Sequence, residues 1–354
     1  MPDAVNVTLA IPVVDEFAAR IRAVDPRLHV VALTRAQRHA YREGRPLWPG
    51  YYDPPAGGRP DEESEEDAQA RLAAVLAATE VVFTNPIIPA DIAERAPNLR
   101  WLQLTSAGVD RLLDSPVVRS RVTVTTASGI HAVTISEYVL GAILTFAKGF
   151  LRAYRSQQES KWAAYPPLEL EGQTVGIVGM GAIGSRVAQL AAAFGMRVLA
   201  MRRSVERRTP GEGPVSEMLP PSDLPYLLAE SDYVVLALPL TEESRRLIGE
   251  EELRAMKPSA VLINIARGPV IDEPALTRAL KERWIAGAAL DVFEREPLPS
   301  DSELWGLDNV LVTPHISGGT PRYMDRAVDL FCDNLRLYLA GEPLRNVVDP
   351  SRGY

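Results

Sequence analysis

Several separate strings carry residues whose types and spacing could do chemistry together. TVGIVGMGAIG contains Gly179-x-Gly181-x-x-Gly184, entered by an apolar run and left by an Ala-rich one. In such a loop the first glycine permits a tight turn and the second lets the backbone approach a pyrophosphate. The third lets the following helix pack closely on the strand. The phosphates would sit on the helix N-terminus at Ala182, Ile183 and Gly184, where N–H groups and the helix dipole favour anions. Further on, NIARGPVIDEPAL contains Arg267, ALDVFEREPLP contains Asp291, Glu294 and Glu296, and VLVTPHISGG contains His315. An Arg, a Glu and a His converging beside a bound nicotinamide would suit hydride reduction of a ketone. The imidazole supplies a proton, the guanidinium fixes a carboxylate bidentately, and a carboxylate beside the imidazole favours its charged form. Singly, each of these residues reads as surface charge or a packing residue; their order along the chain is what favours the chemical reading.

The ribose position decides the cofactor. A site for NAD usually carries Asp or Glu about 20 residues past the glycine loop. Arg202, Arg203 and Ser204 stand there instead, following Met201. Two guanidiniums and a hydroxyl suit a 2′-phosphate, so NADP is expected, with NAD as the alternative if both arginines merely face solvent.

These groups need elements to position them. A chain of 354 residues suggests about two domains. The first hundred residues alternate strands and helices: Val5 to Val14, Asp15 to Val24 and His29 to Leu33, then Val81 to Thr84 and Leu99 to Leu104 around a helix near Asp91 to Arg95. A long helical segment is expected from Ile130 to Gln157, broken by Lys161 to Pro167. The rhythm resumes with strand Thr174 to Val178, helix Ala182 to Phe194 and strand Arg197 to Met201. Strands follow at Tyr233 to Ala237, Ala260 to Asn264, Ala286 to Leu290 and Val310 to Val312, with a last helix from Pro321 to Ala340. The expected class is α/β, with two doubly wound parallel sheets. Arg267, Glu296 and His315 all follow strands of the second sheet, and ligands of such sheets bind outside the carboxyl ends of the strands.

Between Thr34 and Asp67 the pattern breaks into Pro- and Gly-rich sequence ending in DEESEED. It reads as a solvated loop leading into a helix at Ala68 to Ala77. Trp48, Tyr51 and Tyr52 leave open a second role, folding over a substrate cleft or a subunit partner.

Composition narrows the function classes. Asp and Glu exceed Lys and Arg, 46 to 38, for a net charge of −8, which disfavours nucleic-acid binding. The single cysteine, Cys332, and the scattered His29, His39, His131 and His315 offer no structural zinc set. The N-terminus lacks a secretory pattern, and Val139 to Leu151 is too short for a bilayer span. A soluble cytoplasmic protein without membrane partners is expected.

The strings, in order, resemble the D-isomer-specific 2-hydroxyacid dehydrogenase family, over about Leu99 to Val347. The resemblance implies a flavodoxin-like substrate domain, 1–121 plus 320–354, around a Rossmann cofactor domain, 122–319, and a homodimer through the latter. It implies that Arg267 grips the substrate carboxylate and carbonyl oxygen, that His315 is the acid/base, and that Glu296 orients His315 and stabilises its protonated form. The string LTSAGVD matches the loop whose amides around Ser106, Ala107 and Gly108 receive the carboxylate. Pro239, Thr241, Ala266, Asp291 and Gly318 fall at cofactor-wall positions, with Asp291 meeting the nicotinamide amide. His131 reads as a residue at the start of the long helix, without a catalytic role. The Arg202–Arg203 pair resembles the NADPH-using glyoxylate/hydroxypyruvate reductases, which implies small 2-keto acids as substrates. Formate dehydrogenases carry Gln where Glu296 stands. NAD-linked phosphoglycerate or phosphite dehydrogenases, and corepressors that sense the cofactor and bind protein partners, remain alternatives.

Overall fold

The structure, a computed structural model, describes residues 4–45, 64–109 and 112–351. Trp48, Tyr51, Tyr52 and Asp110 lie outside the described residues. The chain divides into one unit of Met1–Ile130 with Pro321–Tyr354 and another of His131–Thr320. The sequence reading set the crossings at 121/122 and 319/320.

In the first unit β1 (Val5–Ala10), α1 (Asp15–Arg22), β2 (Leu28–Ala32) and α2 (Arg35–Tyr41) precede α3 (Glu65–Ala78). Then come β3 (Val81–Thr84), α4 (Ile92–Arg95), β4 (Trp101–Leu104) and β5 (Thr123–Thr125). The sheet order is β2-β1-β3-β4-β5, parallel throughout, which is the flavodoxin-like winding. β3 and β4 are buried at every residue. That is why they read as mostly apolar runs rather than alternating ones, with the buried Thr84 and Gln103 as polar exceptions: helices cover both faces of a parallel sheet. The acidic run before α3 does what its composition suggests. Ser64 caps the helix by accepting from the Asp67 amide, and Glu65, Glu66 and Asp67 fill the first turn, where the dipole favours negative charge.

In the second unit α5 (Ala132–Ala147) and α6 (Phe150–Gln158) precede β6 (Thr174–Val178), α7 (Ala182–Ala193), β7 (Arg197–Met201), β8 (Thr209–Pro210) and β9 (Glu217–Leu219). α8 (Leu224–Glu230), β10 (Tyr233–Leu236), α9 (Glu250–Ala255), β11 (Val261–Asn264), α10 (Glu273–Lys281), β12 (Gly287–Leu290) and β13 (Val310–Val312) complete it. The sheet order is β13-β12-β11-β10-β6-β7-β9-β8. All pairings are parallel except the short edge strand β8, which runs antiparallel to β9. The winding direction reverses beside β6, the switch point where open α/β sheets bind ligands.

The expected single helix over Ile130 to Gln157 is two helices, bent by 63° at Lys148–Gly149. Gly149 adopts φ +65°, and Tyr165 seals the break by donating to the carbonyls of Lys148 and Gly149. No single helix among the described residues is long and apolar enough to cross a membrane. α11 (Tyr323–Ala340) returns the chain to the first unit. There Phe331 stacks on Phe83, with ring centroids 4.4 Å apart, and packs at 5.2 Å against Trp101.

Candidate active site

The glycine loop leaves β6 at Val178 and enters α7 at Ala182. Gly179 has φ +109°, and a Cβ there would stand 2.4 Å from the Ala237 carbonyl oxygen. A Cβ on Gly184 would stand 2.0 Å from the Gly179 carbonyl oxygen. The protein's own packing therefore demands glycine at both positions. Gly181 is different. Its φ of −83° is ordinary, and an added Cβ would meet no protein atom within 4 Å. Nothing in the fold requires glycine there, so the bare backbone keeps room for an external group. α7 has no side-chain cap at that end, so its first-turn N–H groups need partners from outside the helix. A dinucleotide pyrophosphate fits this cradle.

At the carboxyl end of the neighbouring β7, Arg202, Arg203 and Ser204 are exposed. Arg203 lies 3.5 Å from the Glu243 carboxylate. Pro239 and Thr241 sit in the turn after β10. The Ser244 hydroxyl braces that turn, donating to the Pro239 carbonyl at 2.8 Å and accepting from the Thr241 amide at 2.7 Å.

Arg267 and Ala266 follow β11. The buried Asn264 side chain brackets their turn, accepting from the Ala266 amide and donating to the Arg267 carbonyl, both at 3.0 Å. The Arg267 guanidinium donates back to the Ala266 carbonyl at 2.8 Å. Gly268 then packs backbone to backbone against the next loop. A Cβ on it would stand 1.8 Å from the Phe293 carbonyl carbon. The Phe293 amide in turn donates to Glu296 Oε1 at 3.1 Å, and Glu296 Oε2 meets His315 Nδ1 at 2.9 Å. Glu296 is largely shielded and His315 is about one third exposed, with side-chain exposures of 14% and 37%. The loops after β11, β12 and β13 are thus tied in series, and they carry Arg267, Glu296 and His315 in that order. Glu294 is exposed and donates its amide to Glu273.

Asp291, at the end of β12, is fully buried. Its carboxylate accepts from the Thr313 hydroxyl at 2.6 Å and from the amides of Ile316 and Ser317 at 2.8 and 2.9 Å. It therefore anchors the His315 loop, a role the sequence did not suggest. A Cβ on Gly318 would stand 2.9 Å from the His131 ring, so glycine there makes room for that histidine. Ser106, Ala107 and Gly108 follow β4 in the first unit. The Ser106 hydroxyl donates to the Gly108 carbonyl at 3.0 Å, and the Ser106 carbonyl accepts from the Ala127 amide at 2.8 Å.

Sequence reasoning missed Asn264, Gly268 and Thr313. A glycine directly after the candidate arginine was the one available signal of a close backbone approach. The second unit as a whole presents an anion cradle, a guanidinium on a braced turn and a carboxylate–imidazole pair, all at the carboxyl edge of one sheet.

Comparison with known proteins places the chain in a family. The family described as "D-isomer specific 2-hydroxyacid dehydrogenase, NAD binding domain" matches residues 140–317. A glyoxylate reductase of Korarchaeum cryptofilum is 39% identical over 277 residues, 76% of this chain and 81% of that protein. One of Thermofilum pendens is 40% identical over 261 residues, 72% and 76% of the two chains. The crystal structure of a D-isomer specific 2-hydroxyacid dehydrogenase from Xanthobacter autotrophicus Py2, in complex with NADPH and MES, has a TM-score of 0.77 at 31% identity. It covers 99% of this chain and 100% of that one. The chain belongs to the D-isomer specific 2-hydroxyacid dehydrogenases, NAD(P)-dependent oxidoreductases that act on CH–OH donors.

Proposed function

We propose that this enzyme reduces small 2-keto acids such as glyoxylate or hydroxypyruvate, with NADPH preferred over NADH. The observation that carries the reading is the Glu296–His315 pair at 2.9 Å, held on a loop tied to that of Arg267. Arg267 grips the substrate carboxylate and carbonyl oxygen, and the amides of Ser106, Ala107 and Gly108 receive the carboxylate. When bound, the nicotinamide supplies the hydride. Negative charge that builds on the carbonyl oxygen is met by the proton His315 holds, and Glu296 orients the ring through Nδ1. The glyoxylate reductases among its relatives support the substrate class. The units take the roles of a substrate domain, Met1–Ile130 with Pro321–Tyr354, and a cofactor domain, His131–Thr320.

The cofactor preference rests on Arg202 and Arg203 at the end of β7. Hydrogen bonds to charged groups contribute about 1.5–3 kcal/mol, so losing one costs roughly 10- to 100-fold in affinity. Arg202→Asp is expected to lower kcat/KM for NADPH by that factor with glyoxylate as substrate, while sparing or improving NADH. Equal kcat/KM for the two cofactors in the unmodified enzyme would remove the preference. Absence of NADPH oxidation across a panel of 2-keto acids would remove the activity.

The enzyme is also proposed to be a homodimer. α6 buries none of its residues, and Phe150, Tyr154, Trp162 and Leu168 are all exposed, Trp162 completely. So many large apolar side chains exposed in one stretch support a subunit interface there. Sedimentation velocity at micromolar concentration should give twice the chain mass; a monomer would refute the pairing.

A further inference from the structure

We propose that Tyr138 and Thr313 are positioning residues for the reduction: acting through Asp291, they hold the backbone on both sides of His315 and so fix where its ring stands. The inference rests on the reading of His315 as the proton donor.

His315 has a backbone φ of +54°, in the left-handed region that side chains with a Cβ disfavour. Such a conformation persists only where its surroundings over-determine it. Here the constraints come from both sides. Before the histidine, the Thr313 amide donates to the Leu290 carbonyl at 3.0 Å, and the Thr313 hydroxyl donates to Asp291 Oδ1 at 2.6 Å. After it, the amides of Ile316 and Ser317 donate to the two oxygens of the same carboxylate at 2.8 and 2.9 Å. One buried side chain therefore closes a loop around the residue that carries the ring.

The chain of hydrogen bonds continues outward. A threonine hydroxyl has one hydrogen, and Thr313 spends it on Asp291. The contact between Thr313 Oγ1 and the Tyr138 phenol, 2.8 Å long, must therefore be donated by Tyr138. Burial pushes that phenol up to about 12, and the Asp291 charge adds to the rise. Tyr138 thus keeps its proton and stays a donor over the working range of the enzyme. Its donation fixes the orientation of the Thr313 hydroxyl toward Asp291. Tyr138 belongs to α5, so a helix outside the three catalytic loops sets the geometry of the histidine.

The test compares Tyr138→Phe, Thr313→Val, Thr313→Ser and the double variant Tyr138→Phe/Thr313→Val in NADPH-dependent keto-acid reduction. NADPH binding is followed by fluorescence and folding by thermal unfolding. Small displacements of reacting groups are costly, so kcat should fall roughly 3- to 10-fold in Tyr138→Phe and roughly 10- to 100-fold in Thr313→Val. KM and the NADPH Kd should stay near those of the parent. Thr313→Ser, which keeps the hydroxyl, should recover most of the loss. The double variant should be no slower than Thr313→Val, because Tyr138 acts through that hydroxyl. Parent kcat in Tyr138→Phe, or equal impairment of Thr313→Ser and Thr313→Val, would overturn the proposal. His315→Gln separates the two readings. If it retains turnover, the proton-donor assignment falls and this proposal with it. If it is inactive while Tyr138→Phe is unimpaired, only the positioning role falls.

Discussion

Arg267→Ala is expected to collapse turnover while leaving cofactor binding and the fold in place. The turn that carries Arg267 is held by its backbone. Asn264 bonds the Ala266 amide and the Arg267 carbonyl, and Gly268 lies flat against Phe293. Truncation removes the charge and the guanidinium's bond to the Ala266 carbonyl, but these backbone contacts stay and keep the loop in place. Two charge-assisted bonds at about 1.5–3 kcal/mol each correspond to roughly 10²- to 10⁴-fold in kcat/KM. Arg267→Lys should also be poor, because an ammonium cannot reproduce the planar fork. Steady-state kinetics beside an NADPH titration checks this. Retention of most keto-acid reduction by Arg267→Ala would show that the carboxylate is gripped elsewhere.

His315→Gln should have an effect of similar size. General acid catalysis by a positioned side chain contributes about 10²- to 10⁴-fold, and glutamine cannot release a proton. The substitution leaves Asp291 with its three donors from Thr313, Ile316 and Ser317, so the loop should stay closed. Single-turnover measurements with preloaded NADPH would isolate the chemical step. An unchanged single-turnover rate would place the proton donor on another residue.

How much of this was legible in the sequence depends on the range of the interaction. β6, α7 and β7 fall where their patterns put them, because an apolar run, a glycine loop and an Ala-rich helix are local signals. β5 is three residues long, and only its pairing with β4 makes it a strand. The break at Gly149 lay inside a mostly apolar stretch marked only by Lys148 and Gly149; it depends on Tyr165, sixteen residues later, reaching back to the open carbonyls. The site divides the same way. Arg267, Glu296 and His315 were visible by residue type, order and resemblance. What holds them was not. The approach of Gly268 to Phe293 and the convergence of three donors on Asp291 are contacts across 25 or so residues of chain, and no periodicity encodes them. The segment from Thr34 to Asp67 reads as a solvated loop, but its start is α2, capped by Thr34 and burying Tyr41; only its acidic end, where Ser64 caps α3, follows the composition.

The return of α11 to the first unit sets an order on biosynthesis. Phe83 and Trp101 leave the ribosome early, yet the ring that packs against both, Phe331, belongs to the last helix. Ala327, Val328 and Leu335 close the same core over Val7 and Leu9. The second unit is an uninterrupted run, His131–Thr320, and all its strands are synthesised before α11. The nascent chain therefore carries a half-walled N-terminal sheet through the whole translation of its neighbour. During that interval the apolar face that α11 will cover is a natural substrate for chaperones.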